Sequence, residues 1–380
     1  MPDSAATDRL SRRAFGRLLA LGAAGFALPP ASSLEATFAR SAAAGLRLPR
    51  TAAASPVFLD SNEHPLGPAA AAQEAMARLG ARGGRYPFGE TGELTELFAA
   101  HEGVRPEQVM LFAGSSDPLH RAILAWTSPA RPFVGGDPSY EAGQWAGRVS
   151  GARVVAVPLT PAFAHDVRAM AAADKAPGVL YVCNPNNPTG TTTPLADLEW
   201  LAAHAPGDAL VIIDEAYLHF TDEPSAVHLV RQGANVLVLR TWSKLYGMAG
   251  IRLGAAIGPK PVLDRLASFG MGSLSATAIA AGRASLLDPA LVPARRAETR
   301  AIREWTFAEL DRMGVPVRRS VSNCFMFDAR RPAREMVQAL AGHGVRIGRG
   351  WPAWPTWARV TVGTREEMQA FVSALGAATA

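Results

Sequence analysis

Thr241-Trp-Ser-Lys244-Leu-Tyr-Gly-Met-Ala-Gly-Ile-Arg252-Leu-Gly254 sets one lysine among hydroxyls and glycines, with an arginine shortly after. It follows Val236-Leu-Val-Leu-Arg240, a short apolar run that reads as a strand, and its glycines read as a turn. A lysine in such a place is most often a solvated surface residue. The side chains nevertheless match what pyridoxal 5'-phosphate requires. An amine must form a Schiff base with the cofactor aldehyde, while hydroxyls, backbone amides and a guanidinium hold the phosphate dianion.

Two upstream runs have the same form, a strand that stops at reactive or turn-forming residues. Leu210-Val-Ile-Ile-Asp214-Glu-Ala-Tyr217 ends in a carboxylate with a phenol three residues on. Leu180-Tyr-Val-Cys-Asn184-Pro-Asn-Asn187-Pro-Thr-Gly190 ends in Asn, Pro and Gly. Either one alone is well explained as a strand end with an Asx turn or a helix cap. In an open α/β sheet, however, ligands collect at the carboxyl ends of strands. There Asp214 can pair with a pyridinium nitrogen, and Tyr217 and Asn187 can donate to the ring's phenolate oxygen.

The remaining pattern is α/β. Apolar runs at Val109–Phe112, 132–134, 153–157, 179–182, 210–213, 236–239 and 255–257 alternate with helical stretches such as Leu195 to Ala205, and no internal repeat occurs. A chain of 380 residues implies about two domains.

The three segments, in this order, resemble the fold-type I, class I/II aminotransferases that depend on pyridoxal phosphate, and within them the histidinol-phosphate aminotransferases. Leu59-Asp-Ser-Asn62-Glu63-His-Pro65-Leu-Gly67-Pro, Arg85-Tyr86-Pro87 and Trp357-Ala-Arg359-Val-Thr-Val-Gly363 extend the resemblance over roughly residues 55 to 375. It implies a large domain around a mostly parallel seven-stranded sheet between helices, with a smaller α+β domain. The expected divisions are a leader at 1–50, an N-terminal segment of the small domain at 51–84, the large cofactor-binding domain at 85–265 and the small C-terminal domain at 266–380. Within the last, a long helix is expected from Ala297 to Met313, then strands at Phe325–Phe327 and Val360–Val362.

The resemblance also implies roles. Lys244 would be the Schiff-base lysine and then the general base, Asp214 would pair with the pyridine nitrogen, and Tyr217 and Asn187 would hold the ring hydroxyl. Tyr140 would stack on the ring. The phosphate would sit on Thr241, Ser243 and Arg252 and at Ser115, Ser116 and Asp117, where a helix N-terminus presents free N–H groups. Tyr86 would reach the phosphate of a neighbouring subunit, so a homodimer with shared sites is implied. Arg359 would hold the substrate α-carboxylate as a bidentate pair, and Arg349 matches a family arginine near the substrate. From its own position alone, Arg359 reads as a surface strand arginine.

Ile347-Gly-Arg349-Gly-Trp351-Pro-Ala-Trp354-Pro-Thr-Trp357 departs from the family pattern, with three of the chain's eight tryptophans between glycine and proline breakers. Read as a loop, it could wall a pocket for an aromatic or cationic side chain, or plug one domain onto the other.

At the start, Ser11-Arg12-Arg13-Ala-Phe15-Gly-Arg17 precedes the apolar stretch Leu18–Leu28 and Pro29-Pro30, which resembles a twin-arginine export signal. The stretch makes about 16 Å of helix against a bilayer core of roughly 30 Å, so a stable membrane anchor is not expected. Ala42-Ala43-Ala44 is the best cleavage site, and the implied partner is the Tat export machinery. A periplasmic or secreted enzyme follows, which weighs against histidine biosynthesis itself. The formal net charge of +5 comes partly from this leader, and the other arginines scatter without forming a stripe, so no nucleic-acid partner is implied. Cys183 and Cys324 read as buried hydrophobes, and no metal-ligand spacing occurs.

The leading reading is a pyridoxal-phosphate aminotransferase moving an amino group between an amino acid with a neutral, aromatic or cationic side chain and a 2-oxo acid. A lyase, decarboxylase or cyclase using the same cofactor, a histidinol-phosphate aminotransferase, and a non-catalytic cofactor-binding protein are the alternatives.

Overall fold

The computed structural model describes residues 56–270 and 272–379. The strands up to residue 257 are Val57–Leu59 (β1), Val109–Phe112 (β2), Phe133–Asp137 (β3), Val154–Pro158 (β4), Val179–Cys183 (β5), Leu210–Asp214 (β6), Val236–Thr241 (β7) and Gly254–Ile257 (β8). β2 to β8 form one sheet in the order β2-β8-β7-β6-β5-β3-β4. Only β8 runs antiparallel to its neighbours; the other pairs are parallel. Each of the seven apolar runs expected to be a strand is in this sheet.

β5, β6 and β7 are buried along their whole length, and apolar as far as Asp214 in β6 and Arg240 in β7, because both faces of the sheet are covered. Their residues nevertheless alternate between two cores. Leu180, Val182, Val211, Ile213, Val236 and Val238 enter one. Val179, Tyr181, Leu210, Ile212, Leu237 and Leu239 enter the other. This alternation puts Tyr181, Cys183 and Asp214 on one face, and the parallel register sets Cys183 beside Asp214.

The later part is a helix at Leu291–Arg312, then Val317–Arg318 (β9), Cys324–Asp328 (β10), a helix at Ala333–Gly342, Val345–Ile347 (β11), Gly350–Trp351 (β12), Trp354–Thr361 (β13) and a helix at Arg365–Thr379. β12, β13, β10 and β9 make an antiparallel sheet, and β1 pairs in parallel with β11. Leu59, Phe307, Phe325, Phe327 and Phe371 share a third core here. The long helix begins six residues before the expected Ala297, because Pro293 falls in its first turn, where no N–H is needed.

The tryptophan-rich segment is also more regular than expected. Trp351 pairs with Trp354 in a tight hairpin, and Trp357 lies inside β13 opposite Asp328. Trp354 packs on Phe163 with ring centroids 4.8 Å apart, whereas Trp351 is buried beside Arg349 and Arg359.

The twin-arginine stretch, the Ala42–Ala44 site and the leader lie outside the described residues. Among the described residues no helix is long and apolar enough to cross a membrane, and no group of histidine, cysteine and carboxylate side chains could hold a metal ion.

Candidate active site

β5, β6 and β7 end side by side, so the turns that follow them converge. A cavity of about 390 Å³ opens at those ends. Ser115, Ser116, Tyr140, Asn187, Asp214, Tyr217, Thr241, Ser243, Lys244, Arg252 and Arg359 all line it. Arg359 arrives from β13, the farthest of them in sequence. The position that sequence pattern alone would leave on a surface is thus a cavity wall.

Lys244 Nζ lies 3.3 Å from the Ser61 carbonyl oxygen and 5.7 Å from the Tyr217 ring centroid. Burial first, and the Arg359 charge second, push its amine down to about 8. A neutral amine is therefore available near neutral pH. Asp214 is 2% exposed, and burial pushes its carboxyl up to about 6 against the opposing donors Tyr181 O–H (3.0 Å) and Ala216 N–H (3.1 Å). A buried carboxylate at a strand end whose two donors are both neutral suits a cationic ring N–H.

Tyr217 O–H faces Asn62, whose Nδ2 donates to it across 3.0 Å, and its ionisation is pushed well up by burial. Asn187 Oδ1 accepts from Arg359 Nη1 at 2.9 Å, which leaves its amide N–H₂ free to donate elsewhere, and Arg359 Nη2 donates to the Asp60 carbonyl oxygen. Tyr140 O–H and Ser116 Oγ are 3.2 Å apart.

The end of the cavity near Arg252 fits a phosphate. The helix Ser116–Trp126 points its N-terminus there, and Arg252 donates to Ser243 Oγ at 3.1 Å and to the Ala113 carbonyl oxygen at 3.3 Å. Gly114 has φ +93°, and a Cβ on it would stand 2.1 Å from Arg252 Nη2. The close approach of guanidinium and backbone N–H groups requires glycine. Hydroxyls, amides and one cation converge on a space a side chain would fill, which is the donor set of a phosphate cradle.

Three expected residues do not line the cavity. The Asp117 carboxylate is turned away to Arg121, with Oδ1 accepting from Nε at 2.6 Å; its expected contribution was its backbone amide. Tyr86 is 74% exposed and stacked on Phe88 at 5.5 Å. Arg349 donates to Glu141 at the protein surface. Conversely, Tyr181 and the residues 60 to 63 are part of the site without having been assigned a role. A phenol in an otherwise aliphatic strand, at even spacing from Cys183, is the available signal for Tyr181. For Asn62 the signal is the Asn-Glu pair itself, and Asn tolerates the left-handed φ of +53° found there.

Residues 55–375 match the family described as Aminotransferase class I and II. The chain belongs to the class I and II aminotransferases. It is an aminotransferase, with pyridoxal 5'-phosphate as its cofactor, and it resembles the histidinol-phosphate aminotransferases. The enzyme of that name from Symbiobacterium thermophilum is 38% identical over 330 residues, covering 85% of this chain and 90% of the relative. The aromatic amino acid aminotransferase of Nocardia farcinica is 35% identical, covering 83% and 90%. Among solved structures, a protein assigned as a histidinol-phosphate aminotransferase from Erwinia carotovora atroseptica superposes with TM-score 0.82 at 31% identity, over 85% of this chain and 95% of that one. The Sinorhizobium meliloti enzyme, solved with pyridoxal-5'-phosphate, shares the fold with TM-score 0.78 at 23% identity, covering 85% and 90%.

Proposed function

We propose that this aminotransferase moves an amino group between an L-amino acid with a neutral, aromatic or cationic side chain and a 2-oxo acid. The observation that carries the reading is the convergence of Lys244, Asp214 and Arg359 on one cavity wall, where burial also lowers the basicity of Lys244. When bound, the cofactor supplies the aldehyde and the electron-accepting ring. Lys244 Nζ would hold it and, once the incoming substrate amine displaces it, would serve as the base that carries the proton off one reacting carbon and onto the other, a role that its lowered basicity and its place close to Tyr217 suit. Asp214 stabilises a positive ring nitrogen. Asn187 and Tyr217 orient the ring oxygen, Tyr140 covers the ring, and Thr241, Ser243, Arg252, Ser115, Ser116 and the Asp117 amide hold the phosphate. Arg359 holds the α-carboxylate, a placement supported by its contact with Asn187.

Tyr86 completes a partner subunit's site in a homodimer. Two large exposed rings, Tyr86 and Phe88, support this surface as one to be covered. The amino-terminal Arg12-Arg13 segment supports export through the Tat route to the periplasm or beyond. Relatives described as aromatic amino acid aminotransferases favour an aromatic donor. Those described as histidinol-phosphate aminotransferases favour the phosphorylated amino alcohol as a second reading.

An absorbance scan of the cofactor-loaded protein tests this, adding single amino acids and following loss of the visible band. Conversion by neutral, aromatic or cationic amino acids, reversed by their 2-oxo acids, is expected. A band that none of them changes would move the assignment to a lyase or a non-catalytic binder.

A further inference from the structure

Outside the cavity lining, next in sequence to Tyr140, lies an ion pair for which the amino transfer itself has no use. Glu141 follows Tyr140, a cavity-lining residue, and its Oε2 accepts from Arg349 Nη2. The Arg349 guanidinium carbon stands 4.3 Å from the Trp351 ring centroid, and that of Arg359 stands 5.6 Å from the same ring. One buried indole therefore links the guanidinium assigned to the α-carboxylate with a second guanidinium farther out. For a substrate held by Arg359 with its side chain directed toward this indole, an unpaired Arg349 would complement an acidic or phosphorylated group.

The charges of the cavity wall lead the same way. Its carboxylates are Asp60, Glu63 and Asp214, and its cations are Lys244, Arg252 and Arg359. The phosphate takes Arg252, the α-carboxylate takes Arg359, Lys244 is consumed in holding the cofactor, and the ring nitrogen takes Asp214. Asp60 and Glu63 then face the space with no cation assigned to them.

Resting on the aminotransferase reading above, we propose that Glu141 is a specificity-determining residue: by occupying Arg349 beside Trp351, it withdraws the second guanidinium from the incoming side chain. The site accordingly takes donors with neutral or cationic side chains and turns away acidic and phosphorylated ones, both by removing an attractive partner and by placing a like charge against them. The pair is 54% and 32% exposed, so it adds little to stability, and Glu141→Gln leaves the fold intact while freeing the guanidinium.

The test compares cofactor-loaded wild type, Glu141→Gln and the double variant Glu141→Gln/Arg349→Met. Single-turnover loss of the visible band is followed with phenylalanine, ornithine, glutamate and histidinol phosphate. Equilibrium binding is measured with two unreactive acids, maleate and 3-phenylpropanoate. Wild type should convert phenylalanine or ornithine about tenfold or more faster than glutamate and histidinol phosphate, and Glu141→Gln should narrow that ratio and tighten maleate about tenfold. Binding of 3-phenylpropanoate should stay the same, and the gain for maleate should vanish in the double variant, which a purely structural role for Glu141 would not produce. Preference of the wild type for glutamate or histidinol phosphate, or unchanged maleate binding in Glu141→Gln, overturns the proposal. If no donor changes the band in any of the three proteins, the aminotransferase reading fails, and the maleate comparison still decides the role of Glu141.

Discussion

The Tyr181 hydroxyl donates to Asp214 Oδ2 across 3.0 Å, from one strand to the end of the next, with both side chains buried on the same face of the sheet. Tyr181 favours the ionised carboxylate, while burial favours the neutral one and prevails, so that Asp214 titrates near 6. Tyr181→Phe removes the donor without changing the packing volume much. Because the folded-state value lies above the ordinary carboxylate value, the contribution of Asp214 to stability is fully present at low pH and lost as pH rises through about 6. Without Tyr181 that loss is deeper, by about 1–3 kcal/mol for an unsatisfied buried acceptor. Urea unfolding of the cofactor-free variant should show the deficit at pH 8 and little of it at pH 5; an equal deficit at both would remove Asp214 from the explanation.

In the proposed role Lys244 would capture the cofactor as the neutral amine, and burial lowers its value to about 8. The rate at which cofactor-free protein takes up pyridoxal phosphate should therefore rise with pH and level off above about 8, as followed by the visible band. Lys244→Ala should show neither band nor turnover while keeping its fold by circular dichroism. Turnover that persisted in Lys244→Ala would remove the assignment.

Arg359 donates to Asn187 Oδ1 at 2.9 Å in the cavity wall, where it is proposed to hold the α-carboxylate. Arg359→Ala should raise KM for amino donor and 2-oxo acid alike, by about 30- to 100-fold for a lost charge-assisted pair, with a smaller fall in kcat. Steady-state kinetics with both substrates checks this, and unchanged KM values would leave the α-carboxylate without a partner.

Gly114→Ala would put a methyl 2.1 Å from Arg252 Nη2 and hold alanine at φ +93°. The guanidinium must retreat, and cofactor affinity should fall about tenfold or more. Equilibrium dialysis of pyridoxal phosphate against the cofactor-free variant measures this directly, and wild-type affinity would mean that the cradle lies elsewhere.

Arg240, which precedes Thr241, is 4% exposed and pairs with Glu102 at 2.9 Å and with Glu215, which follows Asp214, at 2.5 Å. Arg240→Met strands two buried carboxylates and should cost about 3–5 kcal/mol in chemical unfolding at neutral pH. A loss below about 1 kcal/mol would mean that water reaches the pair.

The strands of the central sheet and the chemistry at their carboxyl ends were legible in the order of residues. Both are local properties: a strand covered on two faces is mainly apolar, and the run breaks off where Asn, Pro, Gly or a charged side chain stands. Lys244, Asp214 and Asn187 announce themselves in this way, and the motifs with family resemblance extend that to Arg252, Tyr217 and Arg359. Tyr181 did not, because a tyrosine in an apolar strand satisfies the strand pattern whatever its hydroxyl touches, and only the register of β5 on β6 aims it at Asp214. Asn62 and Tyr217 are 155 residues apart, and Glu141 and Arg349 are 208 apart. Such pairs carry no trace in local pattern. They arise when the strand order and the hairpin of β12 and β13 bring separate segments together in and around one cavity. The amino-acid order by itself thus determined the sheet and the cofactor-binding chemistry, while tertiary packing alone decided which side chains tune the carboxylate and which charges pair beside the cavity.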